Sequence, residues 1–192
     1  MNDWVYYLIV GVFVIGLWLT FITLVLRGWR HRGDRQADLI GDMPATPAEL
    51  GEPLTGPDTG LYVGSTMAPS WQDRVAVRDI GDRAATVYTR YAAGILLARQ
   101  GASDIWIPAE SIAAVRTENG LAGKVMSRDG VLVIRWTLPT GTQIDSGIRG
   151  DDKTVYPEWT QAYAQVTDQT REQLAAADLQ AQAAKKTKRN KA

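Results

Sequence analysis

The chain has 192 residues, 45% of them hydrophobic, a length that suits one soluble domain with flanking segments. It contains no cysteine and one histidine, His31, which excludes disulfides, thiolate metal sites, clustered-histidine zinc sites and Ser–His–Asp catalysis. The formal net charge is zero, but acidic residues outnumber Lys and Arg by 18 to 12 between positions 41 and 180, which argues against a nucleic-acid-binding body.

The N-terminal part of the chain is a long apolar run. Residues 4–26 contain no charged side chain and, as a helix, are long enough to cross a hydrocarbon core about 30 Å thick. Trp4 and Trp29 stand near the two ends, where aromatic rings prefer the membrane interface. A cleaved signal peptide fits poorly, because the positive charges follow the run and no A-x-A-like site comes after it. The pattern predicts an uncleaved single transmembrane helix after a short end at residues 1–3.

The charges beside this helix predict its orientation. Residues 1–3 carry no Lys or Arg, whereas four arginines follow the apolar run: Arg27, Arg30, Arg32 and Arg35. The positive-inside rule then places the N-terminus outside the cell and the rest of the chain in the cytoplasm, held at the cell membrane. At the membrane interface, these arginines are also candidates for contact with anionic lipid.

The next segment is predicted to be a linker. Residues 27–58 combine the basic juxtamembrane stretch with a region rich in breakers, namely Pro44, Pro47, Pro53, Pro57, Gly41, Gly51 and Gly56. Such a composition interrupts any periodic element and is typical of an extended, mobile connection.

Residues 59–170 read as a folded domain of short strands followed by a helix. The clearest strand is 131–138, where Leu132, Ile134, Trp136 and Leu138 alternate onto one face and Arg135 points the other way. Pro157 suits a first helical position, and an apolar stripe of Trp159, Ala162, Tyr163 and Val166 follows it. Residues 171–192 are predicted to be a helical extension ending in a basic, disordered tail.

Two folds fit this order of elements. One is a partly open barrel or sandwich of about seven strands capped by a C-terminal helix, which is the architecture of pleckstrin-homology (PH)-like domains. The other is a mixed α+β sheet.

Several segments resemble the membrane-anchored, PH-like domain proteins of actinobacterial type, some of which are labelled export proteins, membrane proteins or transporters. The resemblance rests on the N-terminal anchor and linker, the terminal helix, and the segments GLYVGST (60–66), WQDRV (71–75), WIPAESIAAVR (106–116), GLAGK (120–124), VIRW (133–136) and IDSGIRGDD (144–152). It implies a PH-like fold and brings no catalytic or ligand-binding residues with it.

Possible catalytic motifs are weak. GLAGK resembles the end of a phosphate-binding loop, but Val125 follows Lys124 where Ser or Thr should hold Mg²⁺, so a β-turn is favoured. Asp151 and Asp152, near Asp145, could suggest paired carboxylates, but the run is better interpreted as a solvated loop. We therefore predict no catalytic residues, no cofactor and no metal.

Four tryptophans lie in the domain and are candidates for an aromatic binding site. Trp136 and Trp159 lie on predicted apolar faces and are expected in the core. Trp71 and Trp106 are less constrained and are the candidate partner-binding residues. The basic C-terminal tail is either a solvated tail or a second contact with the membrane.

These observations favour a membrane-tethered interaction or scaffold module without catalytic activity, whose partners are the lipid bilayer and a protein. Neither nucleic acid nor a small-molecule substrate is indicated. Two alternatives stay open: an accessory subunit of a transport or export system, and an enzyme of unfamiliar type.

Overall fold

A computed structural model describes the backbone of residues 3–125 and 129–189, with side chains except at Asp3, Tyr6, 29–35, 124–125, Asp178 and 181–189. Within these residues there are three α-helices: α1 (Asp3–Ile40), α2 (Tyr156–Ala162) and α3 (Ala164–Arg189). The strands of the same ranges are β1 (Thr55–Met67), β2 (Ala84–Tyr91), β3 (Gly94–Arg99), β4 (Ile105–Pro108), β5 (Ile112–Glu118), β6 (Gly120–Leu121), β7 (Lys124–Val125), β8 (Val131–Thr137) and β9 (Gln143–Gly150).

The first part of α1 is apolar and lies apart from the domain. Its segment Tyr7–Gly28 has a mean hydropathy of 2.7, and none of its most apolar window is buried. Within the described part of the chain, it is the one helix whose length and composition suit a membrane span.

The last turns of α1 pack onto the domain, where a mobile linker was predicted. Ile40 is fully buried in the core. The Gln36 side chain accepts a 2.8 Å hydrogen bond from the backbone N–H of Ala76 and donates one of 3.3 Å to the carbonyl of Arg74. Because these residues find partners in the domain, the helix continues to Ile40 and the irregular segment is limited to 41–54. The first strand begins at Thr55, ahead of the predicted domain boundary at 59.

Seven strands form one antiparallel, open sheet in the order β4-β3-β2-β1-β9-β8-β5. This confirms the predicted partly open barrel or sandwich with a helical C-terminus. The apolar face predicted for β8 is also confirmed, since Leu132, Ile134 and Trp136 are fully buried. The alternation works because successive side chains of a strand point to opposite faces of the sheet.

A short helix, α2, and a long helix, α3, replace the single helix that was predicted near the C-terminus. α2 buries Trp159, whose indole N–H donates a 2.8 Å hydrogen bond to Asp58 and whose ring lies 5.0 Å from that of Tyr88. The chain leaves helical geometry at Tyr163, and α3 then packs along β5. Because the helix is interrupted at Tyr163, Trp159 of α2 packs into the core and α3 packs on β5. α3 continues to Arg189, although a disordered tail was predicted there.

Candidate functional site

A small hairpin covers part of the outer face of the sheet. β6 and β7 pair through a two-residue turn in which Ala122 and Gly123 have φ values of 52° and 72°. Two successive positive φ values are typical of the tight turns that connect antiparallel strands. GLAGK is thus a turn, as predicted, and no phosphate-binding loop is present among the described residues of this segment.

The hairpin is held on the sheet by a second, small apolar cluster of Val63, Leu121, Val131 and Val133. Gly147 lies beneath it, where a Cβ atom would come within 2.5 Å of the Leu121 side chain. Glycine at this position therefore allows the hairpin to lie close to the sheet. The cluster explains why β8 is buried on both faces, since Val131 and Val133 oppose the core face of the strand.

Beside the hairpin, Asp145 forms a buried ionic cluster with two arginines. Arg135 donates two 2.8 Å hydrogen bonds to the carboxylate, and Arg116 donates another of 2.9 Å. Arg116 also pairs with Glu118 at 2.7 Å. The Asp145 side chain is only 2% exposed, so its charge depends on these partners.

The hydrogen bonds determine the protonation of this cluster. Burial by itself raises the pKa of Asp145, but the hydrogen bonds from Arg135 and Arg116 outweigh it and hold the pKa below its usual value. Burial likewise lowers the pKa of Arg116, and its bonds to Asp145 and Glu118 raise it further than burial lowers it. Asp145 and Arg116 are therefore both charged near neutral pH.

A cleft of about 290 Å³ opens above this cluster, here called the Trp71 cleft. It is lined by Pro69, Trp71, Arg116, Glu118, Asn119 and Asp145, together with the base of the hairpin. The Trp71 side chain is 42% exposed at its rim. The cleft thus combines an exposed aromatic ring with a lining that contains Arg116 and its two carboxylate partners, Glu118 and Asp145.

The two candidate tryptophans are in different environments. Trp71 is exposed at the cleft, whereas Trp106 is only 3% exposed in β4. Trp106 packs against Gly94, where a Cβ atom would lie 2.8 Å from its ring. Trp106 is therefore buried, although it was a candidate for an exposed binding residue. A buried ring cannot contact a partner unless the edge of the sheet unfolds. Trp136 and Trp159 are fully buried, as predicted.

The predicted membrane-interface residues all lie on α1. Trp4 is 64% exposed and Arg27 is also exposed, next to the ends of the apolar segment. The side chains of Trp29, Arg30, Arg32 and Arg35 lie outside the described residues, and their role at the interface stays a prediction.

The acidic residues near the C-terminal end of β9 each accept a hydrogen bond from a nearby threonine. Asp151 accepts a 2.8 Å hydrogen bond from Thr59, and Asp152 accepts one of 2.8 Å from the backbone of Thr154, both at the surface. Asp145, in contrast, belongs to a strand and not to the predicted solvated loop, and its carboxylate is already occupied by arginines. Among the described residues, no group of three or more metal-ligating side chains comes together.

The comparisons with known proteins identify a family for most of the folded part. A family model described as "Bacterial PH domain-like" matches residues 40–164. The match begins at the buried Ile40 and ends at the first residue of α3, and so covers the whole sheet and α2. No curated protein matches the chain.

Proposed function

The chain belongs to the bacterial PH domain-like family, and on that premise we propose that it is a membrane-tethered interaction module without catalytic activity. The domain of this family suits a non-catalytic binding role. In our proposal α1 crosses the cell membrane once, the domain faces the cytoplasm, and the Trp71 cleft binds a protein partner.

The observation that carries the proposal is the composition of the Trp71 cleft. Trp and Arg are enriched at protein interfaces, and both Trp71 and Arg116 line this cleft. Arg116, which lines the cleft, is already paired with Asp145 and Glu118, and Arg135 is paired with Asp145, so little cationic charge is left for a polyanionic headgroup. A polypeptide with apolar and hydrogen-bonding groups therefore fits the cleft better than a lipid headgroup does.

The docking of α1 supports the role of a rigid tether. The same helix contains the apolar segment and the residues Gln36 and Ile40, which contact the domain. At about 1.5 Å per residue, the helix between Gly28 and Leu39 sets a distance of about 16 Å from the end of the span to the domain. The cleft would thus be presented at a fixed height above the bilayer.

Site-specific photo-crosslinking in living cells tests the proposal. Trp71 is replaced by the photoreactive aromatic p-benzoyl-phenylalanine in the full-length chain, and the control carries the same group at the exposed Gln161 of α2. We expect a protein adduct from position 71 and none from position 161. The adduct should persist when residues 4–26 are replaced by an unrelated transmembrane helix, because the cleft and not the span binds the partner.

Three outcomes would contradict the proposal. Equal adducts from both positions would show non-specific contact, and lipid adducts at position 71 would make the cleft a membrane-binding surface. Loss of the protein adduct with the unrelated helix would assign the partner to the membrane span, which favours an accessory role in a transport system.

A further inference from the structure

The direction of α3 follows from its hydrogen bonds to the edge of the sheet. The backbone N–H of Val115 donates to the hydroxyl of Thr167 at 3.0 Å, and the hydroxyl of Thr170 donates to the carbonyl of Ala113 at 2.6 Å. As the helix advances, its contacts therefore move toward Ile112, the first residue of β5. α3 runs antiparallel to β5.

The end of the domain that α3 approaches is the end at which α1 arrives. Ile112 pairs with Trp136, just before the turn 138–142 that connects β8 and β9. In that turn the hydroxyl of Thr140 donates a 2.5 Å hydrogen bond to the carbonyl of Leu39 in α1. We call this the anchor end of the domain. Both long helices extend from it.

α3 leaves the domain after Thr170. From Arg171 to Gln180 every described side chain is exposed, including Leu174 at 50% and Leu179 at 67%. From Thr170 to Arg189 the helix is about 28 Å long, whereas α1 needs about 16 Å between Leu39 and the end of the apolar segment at Gly28. The part of α3 beyond the domain is thus longer than the part of α1 between the domain and the end of the span.

The sequence makes this far end strongly basic. No acidic residue follows Asp178, and the last turns of α3 contain Lys185, Lys186, Lys188 and Arg189. The part of α1 that leads out of the span carries Arg27, Arg30, Arg32 and Arg35. Clusters of basic residues next to a membrane are attracted by anionic lipids within about a Debye length of the surface.

We propose that the C-terminal end of α3 binds anionic headgroups of the bilayer that α1 spans, as a second contact on the same membrane. This inference rests on the proposed membrane tether. Two contacts at the anchor end would fix the rotation of the domain about α1, and with it the direction in which the Trp71 cleft faces.

The absence of cysteine allows a direct test with single labels on the full-length protein. The variants A184C, A92C and I15C are each labelled with a fluorophore and reconstituted into vesicles of phosphatidylcholine with or without phosphatidylglycerol. A quencher attached to lipid headgroups reports proximity to the surface. Ala92 is exposed in the β2–β3 turn, next to the start of β1, whereas it is the end of β1 that pairs with β9 beside the turn bonded to α1. It serves as the control.

We expect headgroup quenching of the label at position 184 in anionic vesicles, its loss in 1 M salt, and its loss in the variant K185E/K186E/K188E/R189E. The label at position 92 should not be quenched under any of these conditions. High salt reduces the screening length to about 3 Å and so separates electrostatic from apolar contact.

The label at position 15 distinguishes failure of the second membrane contact from failure of the membrane tether. If it is buried in lipid while position 184 is never quenched, the tether stands and the second contact is wrong. If position 184 is quenched equally in neutral vesicles and in high salt, the contact is not with anionic headgroups and the inference is overturned. If position 15 does not enter the lipid at all, the tether itself fails.

Discussion

Arg135 and Asp145 face each other across the β8–β9 hairpin and are joined by two hydrogen bonds of 2.8 Å each. Arg116, from the neighbouring β5, adds a third contact to the same carboxylate. The cluster thus connects β9, β8 and β5, which are neighbours in the sheet, next to the Trp71 cleft. Its integrity matters for stability and for the shape of the cleft, and two predictions follow from it.

The first concerns the variant D145N. It leaves the largely buried Arg135 without a carboxylate partner and leaves Arg116 with Glu118 alone. Breaking a buried ion pair in this way costs about 3–5 kcal/mol. The free energy of unfolding, measured by urea titration of the full-length protein in detergent, should fall by about this amount. The control D168N removes an exposed pair with Arg171 and should cost no more than about 1 kcal/mol. Equal, small effects of both variants would mean that the cluster does not stabilise the fold.

The second prediction concerns pH. The pKa of Asp145 in the folded protein lies below the value of about 3.9 for an unfolded chain. Its ionised form therefore stabilises the fold above about pH 4, and this contribution is lost as the pH falls through the folded-state pKa. The stability difference between the wild type and D145N should be constant near neutral pH and shrink under acid conditions. A difference that does not change down to the lowest accessible pH would contradict this.

Two tryptophan variants should separate binding from folding. W106A removes a buried ring and should lower stability by about 3–5 kcal/mol. W71A removes a ring that is 42% exposed, so it should leave the unfolding midpoint nearly unchanged and abolish capture of the partner. Both quantities can be measured on the same purified variants, by thermal unfolding and by partner pull-down. A W71A protein that binds its partner normally would exclude Trp71 from the interface.

Much of the β domain could be predicted from hydrophobic periodicity. The strand at 131–138 alternates so regularly that Leu132, Ile134 and Trp136 could be assigned to the core without a structure. Trp159 was found in the same way from the helical spacing of the last apolar stripe. These predictions depend only on the spacing of apolar residues within one segment, and a single sequence shows that spacing directly.

The ionic cluster could not be found in this way, because it depends on pairing between strands. Asp145 stands in a stretch rich in Gly and charge, which is typical of a loop, and nothing local indicates that it is 2% exposed. A signal did exist: the turn at 139–141 fixes the register of the hairpin, and that register places Asp145 opposite Arg135.

The packed end of α1 was missed for a related reason. The segment around Gln36 and Ile40 lies between a basic stretch and several prolines, and its composition is typical of a linker. Its helical structure is supported by tertiary contacts, namely burial of Ile40 and the hydrogen bonds of Gln36 with the segment 74–76. Such contacts outweigh local preference and leave little trace in the local sequence.

Two adjacent residues of α1 provide a matched test of this docking. I40A empties a fully buried position and should lower the free energy of unfolding by about 2–5 kcal/mol. L39A truncates the neighbouring side chain, which is 50% exposed, and should change it by no more than about 0.5 kcal/mol. Urea unfolding followed by tryptophan fluorescence compares the two. If I40A were as mild as L39A, the end of α1 would be a linker after all, and the rigid tether would fail.

The most direct test of the central claim, a cytoplasmic PH-like domain on a single membrane span, is cysteine labelling in intact cells. The chain has no native cysteine, so N2C and A92C each give one site for a membrane-impermeant maleimide. We predict that N2C is labelled in intact cells and that A92C is labelled only after permeabilisation. Both proteins should stay in the membrane pellet after an alkaline wash. Labelling of A92C in intact cells, or release of the protein by the wash, would contradict the account.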